Sequence, residues 1–179
     1  GYLTIKDYDP DFKTYTLGFP NREVEEGFAK FLLPNYSSVD KTETGFCIKQ
    51  FVKDVREGRT EQFVERLRSL FADTPYEIVK DMENHYQNVL WILFKLMGFY
   101  VQAEYHTSRG RIDLVLKTKD FCYVMEFKLN GTAEEALAQI SSKDYALPFQ
   151  LESQQIIRIG MNFDSQTRNI ERYIVGTME

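Results

Sequence analysis

Between residues 76 and 97 the apolar side chains recur at helical spacing. Val79, Met82, Tyr86, Val89, Leu90, Leu93 and Met97 fall on one stripe. Gly98 follows, a residue suited to the left-handed turn that closes a helix. The period then changes to two. Residues 99–106, 111–117 and 121–128 read as strands, separated by a Thr-Ser-Arg-Gly turn and by Lys119-Asp120. Thr132 and Glu135 have capping-box spacing and open a helix expected to reach about residue 145, with Pro148 beyond it. Residues 155–161 are an isoleucine-rich strand, and 169–175 a last one.

Upstream the pattern is more broken. Residues 2–5 and 14–17 are β-rich runs on either side of a Tyr-Asp-Pro-Asp turn at 8–11, a hairpin that is marginal in water without a partner. Pro20 opens a helix expected to run to about residue 33, where Pro34 stops it. A polar loop at 35–43 precedes two more helices over 46–57 and 60–72. The stripe of the second is Phe63, Leu67, Leu70 and Phe71. The break at Asp73-Thr-Pro75 divides the chain into an N-terminal hairpin-plus-helices segment, 1–74, and a domain, 75–179.

Short turns make the three strands after residue 98 an antiparallel meander. The helix between the third strand and the strand at 155–161 makes that pair a parallel, right-handed crossover. The expected fold is therefore α/β: a mixed sheet flanked by helices in the order αβββαβ, preceded by the hairpin and the helical segment.

Composition narrows the class. The 179 residues are 43% hydrophobic and 27% charged, which excludes a disordered chain. No apolar run approaches the ~20 residues of a membrane span. Two cysteines suit a reducing compartment and a cytoplasmic location. Net charge is -5, with 13 basic and 16 acidic residues over 1–99 and 9 and 11 over 100–179. Neither half has the basic excess of a protein that grips duplex DNA through its phosphates. The chain opens at Gly1 already in a strand-like run and reads as a piece of a longer protein.

The candidate chemistry lies in the hairpin over 111–128. Alternation puts Ile112, Leu114, Leu116, Tyr123, Met125 and Phe127 on one face, and Asp113, Val115, Val124, Glu126 and Lys128 on the other. A two-residue turn at Lys119-Asp120 pairs Asp113 with Glu126, their Cβ atoms ~5 Å apart. Facing carboxylates repel unless a cation or a proton sits between them. One reading is a divalent-metal site with Lys128 beside it. The other is a solvated charge ladder, which such sheet faces often carry. Glu83 adds weight to the first reading, because it falls within the apolar stripe of the helix that packs on the meander. A carboxylate there is costly unless it is paired or ligates a metal. His85 and His106 have no ligand-spaced partner, and no Gly-x-x-x-x-Gly-Lys phosphate loop occurs.

Asp113, twelve intervening residues and then Glu126-Phe127-Lys128 resemble the PD-(D/E)XK nuclease motif, with Ile112 in place of its namesake proline. The element order resembles that superfamily's restriction-endonuclease-like core. Further phrases, among them Tyr-Thr-Leu-Gly-Phe-Pro-Asn, His-Thr-Ser-Arg-Gly-Arg-Ile-Asp-Leu-Val and Glu-Phe-Lys-Leu-Asn-Gly-Thr-Ala-Glu-Glu-Ala, are similar to the nuclease-like domain at the C-terminus of bacterial AAA-ATPase-like proteins. The resemblance covers nearly the whole chain.

It implies a site in which Asp113, Glu126, the Phe127 carbonyl and Glu83 bind Mg²⁺ or Mn²⁺, with Lys128 orienting or deprotonating the attacking water. Hard oxygen donors suit those ions. Gln139 resembles a glutamine of exonuclease-type members. Tyr145 stands six residues on, where the usual tyrosine is four residues on, at the place of Lys143. Arg109 and Arg111, at the turn beside Asp113, are candidate phosphate contacts. The implied activity is phosphodiester hydrolysis, in DNA before RNA. The implied partner is an upstream ATPase-like domain of the same polypeptide, of which the N-terminal hairpin would be the tail. The competing reading is a catalytically silent module that binds nucleic acid or protein under control of that domain; the acidic balance favours it.

Overall fold

The computed structural model describes residues 3–10, 13–21, 23, 24, 27, 44–72, 82–96 and 98–177. The expected loop at 35–43, the break at 73–75 and most of the helix expected over 20–33 lie outside these residues. At the start of that helix, Val24 N–H donates to Asn21 Oδ1 at 2.9 Å, an N-cap bond, and residues 23, 24 and 27 are helical.

Strands β1 (Thr4–Asp9) and β2 (Thr14–Gly18) form a separate antiparallel hairpin. It leaves Leu3, Ile5, Tyr8 and Tyr15 exposed. Helices α1 (Thr44–Arg56), α2 (Thr60–Ala72) and α3 (Met82–Leu96) precede the main sheet. At the end of α3, Gly98 takes a φ of +74° and Phe99 N–H reaches back to Phe94 O, the closing bond expected of that glycine.

The main sheet has five strands: β3 (Tyr100–Thr107), β4 (Gly110–Lys117), β5 (Phe121–Leu129), β6 (Gln155–Asp164) and β7 (Asn169–Thr177). Their spatial order is their chain order. β3, β4 and β5 are an antiparallel meander, β5 and β6 run parallel, and β7 returns antiparallel on β6. Helix α4 (Ala133–Ser142) makes the crossover from β5 to β6 and opens with the Thr132–Glu135 capping box. This is the mixed sheet, flanked by helices and preceded by a hairpin, that the sequence pattern predicts.

Three details differ from the sequence reading. Helix α4 ends near residue 142 and not 145. Asp144 adopts a φ of +49°, Tyr145 N–H bonds to Ile140 O and Asp144 N–H to Ser141 O, the paired bonds of a Schellman stop. Strand β6 runs three residues further than residue 161. Asn162, Phe163 and Asp164 all pair with β7, so polar residues that look like an end are inside the ladder. Ile112 packs on the opposite face from Leu114, against the alternation. Glu104, which faces Asp113 across the β3–β4 ladder, has a φ of +52° and the pair drops out of the register, which breaks the pleat there.

Two apolar clusters clasp the sheet. One joins Leu114, Leu116, Tyr123, Met125, Ile159 and Phe163 to side chains of α1, α2 and α3. The other joins Ile112, Val115, Cys122 and Val124 to Ile140 of α4 and to Tyr145 and Phe149 beyond it. Residues 44–72 thus share a core with the sheet. Phe63 meets the Tyr123 ring edge-on, and the Tyr123 hydroxyl donates to Val55 O, a last-turn carbonyl of α1, at 2.6 Å. Tyr123→Phe strands that carbonyl. It is expected to cost about 1–3 kcal/mol in chemical denaturation with an unchanged m-value.

Candidate active site

The β4–β5 hairpin keeps the register set by its two-residue turn. Leu114 lies opposite Met125 and Lys117 opposite Cys122, so the next pair in step is Asp113 and Glu126. At that point side-chain bonding replaces the ladder. Asp113 Oδ2 accepts from Phe127 N–H at 2.8 Å. The Asp113 carbonyl accepts from Gln87 Nε2 of α3, also at 2.8 Å. One aspartate therefore joins β4 to both β5 and α3.

Glu126 is the anomalous member. A glutamate on a solvated charge ladder would be open to water, but Glu126 is only 2% exposed. Helix α4 lies over it. Gln139 Nε2 donates to Glu126 Oε1, and Gln139 Oε1 accepts from Lys128 Nζ at 2.6 Å. Lys128 Nζ itself stands 3.9 Å from Glu126 Oε1. The second carboxylate oxygen, Oε2, is buried with no hydrogen-bond partner. Burial, and then the charge of Asp113, push the Glu126 carboxyl up to about 8, against the attraction of Lys128, a hydrogen bond from the Asp113 backbone and the attraction of Arg111. A buried acid with an orphaned oxygen is a costly arrangement that a bound cation would relieve.

Asp113 and Glu126 place two carboxylates side by side, oxygen donors of the hard kind that a divalent cation takes. Among the described residues no three of His, Cys, Asp and Glu gather as a metal cluster. Glu83 lies in the first turn of α3, and its side chain is outside the described residues. Its position is one helical turn before Gln87, the residue that reaches Asp113. Phe127 buries its ring in the core and gives its N–H to Asp113.

The remaining candidates are spread around this centre. Gln139 sits at it, between Glu126 and Lys128. Arg109 and Arg111 are exposed at the β3–β4 turn, paired with Asp144 and with Glu104 at 3.0 Å. Tyr145 is 2% exposed within the second cluster, and a side chain at Gly110 would meet its hydroxyl at 2.5 Å.

Sequence reading passed over two residues here. Gln87 carried a signal, a polar residue four positions after Glu83 on the same helix. Gly160 carried none. A Cβ at Gly160 would lie 2.5 Å from Leu137 N and closer still to Ala133 O, so the backbone of α4 rests directly on β6. Gly160→Ala is expected to destabilise the fold by about 1–3 kcal/mol, read by thermal or chemical denaturation, because neither backbone can give way without moving α4.

Among known proteins, a family model described as the PD-(D/E)XK nuclease superfamily matches residues 81–173, the stretch from the start of α3 into β7. The chain is also similar to an "uncharacterized protein in vnfD 5' region" of Azotobacter chroococcum mcd 1. The two are 27% identical over 191 aligned positions, which cover 99% of this chain and 36% of that protein. The chain thus spans about a third of the length of this curated relative.

Proposed function

The chain belongs to the PD-(D/E)XK nuclease superfamily, and on that premise we propose that it is a divalent-metal-dependent nuclease that hydrolyses phosphodiester bonds, in DNA before RNA, within a longer cytoplasmic polypeptide carrying an ATPase-like domain upstream. The observation that carries this reading is Glu126: buried, short of a partner at Oε2, beside Asp113 and within 3.9 Å of the Lys128 ammonium.

Asp113, Glu126, the Phe127 carbonyl and Glu83 are the groups that would hold Mg²⁺ or Mn²⁺. When bound, such an ion lowers the pKa of water and offsets charge on the phosphate. The residues supply the rest. Asp113, tied to Phe127 and Gln87, cannot swing away from Glu126. Lys128 is held by Gln139 with its ammonium toward the carboxylates. There the ammonium orients the attacking water and stabilises negative charge at phosphorus; to act as the base instead, Lys128 must first lose its own proton and accept the water's as a neutral amine. Arg109 and Arg111 exchange their carboxylate partners for substrate phosphates.

The net charge of -5 is the observation favouring a silent binding module. Under the nuclease reading, the same charge means that substrate is gripped largely by the rest of the polypeptide. The test is Mn²⁺ and Mg²⁺ titration by calorimetry, paired with cleavage assays on single-stranded DNA, duplex DNA and RNA. Binding with metal-dependent cleavage supports the nuclease. Binding without cleavage on any substrate supports the silent module, and no binding at millimolar metal sinks both the metal site and the nuclease.

A further inference from the structure

The strand beside Lys128 holds a polar residue that does not belong to the site as described. Asn162 of β6 pairs in register with Lys128 and is 1% exposed. A buried amide needs partners at both ends, and this one has them. Gly131 N–H donates to Asn162 Oδ1 at 2.9 Å, and Asn162 Nδ2 donates to Glu171 Oε2 of β7 at 2.6 Å.

Gly131 lies in the three-residue link between β5 and α4. That link is stitched to the end of β6 by two further bonds, Asn130 N–H to Phe163 O at 2.8 Å and Ser165 N–H to Asn130 Oδ1 at 2.9 Å. Asn130 itself takes a φ of +56°, so the link is a tight turn. The next residue is Thr132, the N-cap of α4. From that cap to Gln139 is about two turns of helix, roughly 10 Å. A helix this short is stiff, so the direction in which the link launches it decides where the Gln139 amide arrives. That amide is the group touching both Lys128 and Glu126.

We propose that Asn162 is a positioning residue of the site. Through Gly131 it sets the launch of α4, and through α4 it seats the Gln139 amide that holds Lys128 and Glu126 in place. Asn162 touches neither substrate nor reacting atoms. The catalytic consequence rests on the nuclease reading; the positioning itself does not.

The first arm of the test needs no variant and no activity. Amide hydrogen exchange on the wild-type chain is expected to find Gly131 protected roughly 100-fold or more over an open loop amide. Exchange near the unprotected rate overturns the proposal. The second arm follows the side-chain amide signal of Gln139 by NMR, assigned by its loss in Gln139→Leu. Asn162→Leu is expected to shift or broaden that signal. It should also lower kcat with Mn²⁺ by up to about 10-fold, the low end of what loss of a partner directly on a metal ligand costs, since Asn162 acts through Gln139, with KM changed less than about threefold. The pair Asn162→Asp with Glu171→Gln keeps an acceptor for Gly131 and a donor between the two positions, and is expected to restore both readouts. An unchanged Gln139 signal in folded Asn162→Leu overturns the proposal, as does failure of the pair to restore it. If Asn162→Leu does not fold, exchange at Gly131 and the Gln139 signal of the pair decide. If the wild type cleaves nothing, the nuclease reading fails while the exchange and NMR arms still rule on Asn162.

Discussion

Asp113→Asn is expected to fold like the wild type, lose divalent-cation binding, and lower metal-dependent cleavage by about 10³-fold or more, the several kcal/mol that a bound ion supplies to a charged transition state. Asparagine is the informative substitution. Its Oδ1 can still accept from Phe127 N–H, and the backbone bond from Gln87 is untouched, so the structural ties of Asp113 survive. What is removed is one negative charge beside Glu126. Asp113→Ala removes the charge and the Phe127 bond together, and the difference between the two variants isolates that bond. Calorimetry with Mn²⁺ and a single-turnover cleavage assay give the two readouts. Asp113→Asn with wild-type cleavage would exclude this carboxylate from the chemistry.

The second large effect concerns Glu126 without metal. Its carboxyl is raised from 4.5 to about 8, chiefly by burial and then by Asp113. Between those values the folded chain carries a proton that the unfolded chain has lost. Stability therefore falls as pH rises from about 4.5 to 8, and levels off above. The size is of order a few kcal/mol, or roughly 5–10 °C in Tm for a chain this long. Glu126→Gln has no such proton and retains an oxygen for Gln139. In EDTA at pH 8.5 it is expected to melt several degrees above the wild type, with the gap closing toward pH 5. Saturating Mn²⁺ should reverse the order, since only the wild type gains binding energy. Melting curves across pH, with and without metal, check this. Parallel pH dependence in the two proteins would mean that Glu126 is not held protonated.

These two residues show how the site was legible. The pairing of Asp113 with Glu126 follows from local rules: period-two alternation and a two-residue turn leave one register, and the ladder adopts it from Leu114 onward. What alternation could not show is which of two charged-face readings holds. Helix α4 covers this face at Glu126, which is buried, while Asp113 and Lys128 beside it stay part-exposed. Ile112 fails for a related reason: a left-handed residue on the neighbouring strand, Glu104, interrupts the pleat, and no property of β4 announces it.

From residue 82 onward the sequence by itself determined the elements and their order, and with them the meander and the juxtaposition of two carboxylates and a lysine, because periodicity and short turns depend on residues a few positions apart; the crossover followed from the helix between its strands. Only the tertiary structure decided that Glu126 is buried, that one of its oxygens lacks a partner, and that Gln139 bridges it to Lys128. Those facts depend on where α4 lands. The landing is set by Gly160 and Asn162 on β6, some thirty residues from the hairpin they complete. Burial of a charge is a property of what lies above it, and in this chain the cover is the very next helix, folded back over β5 by its contacts with β6.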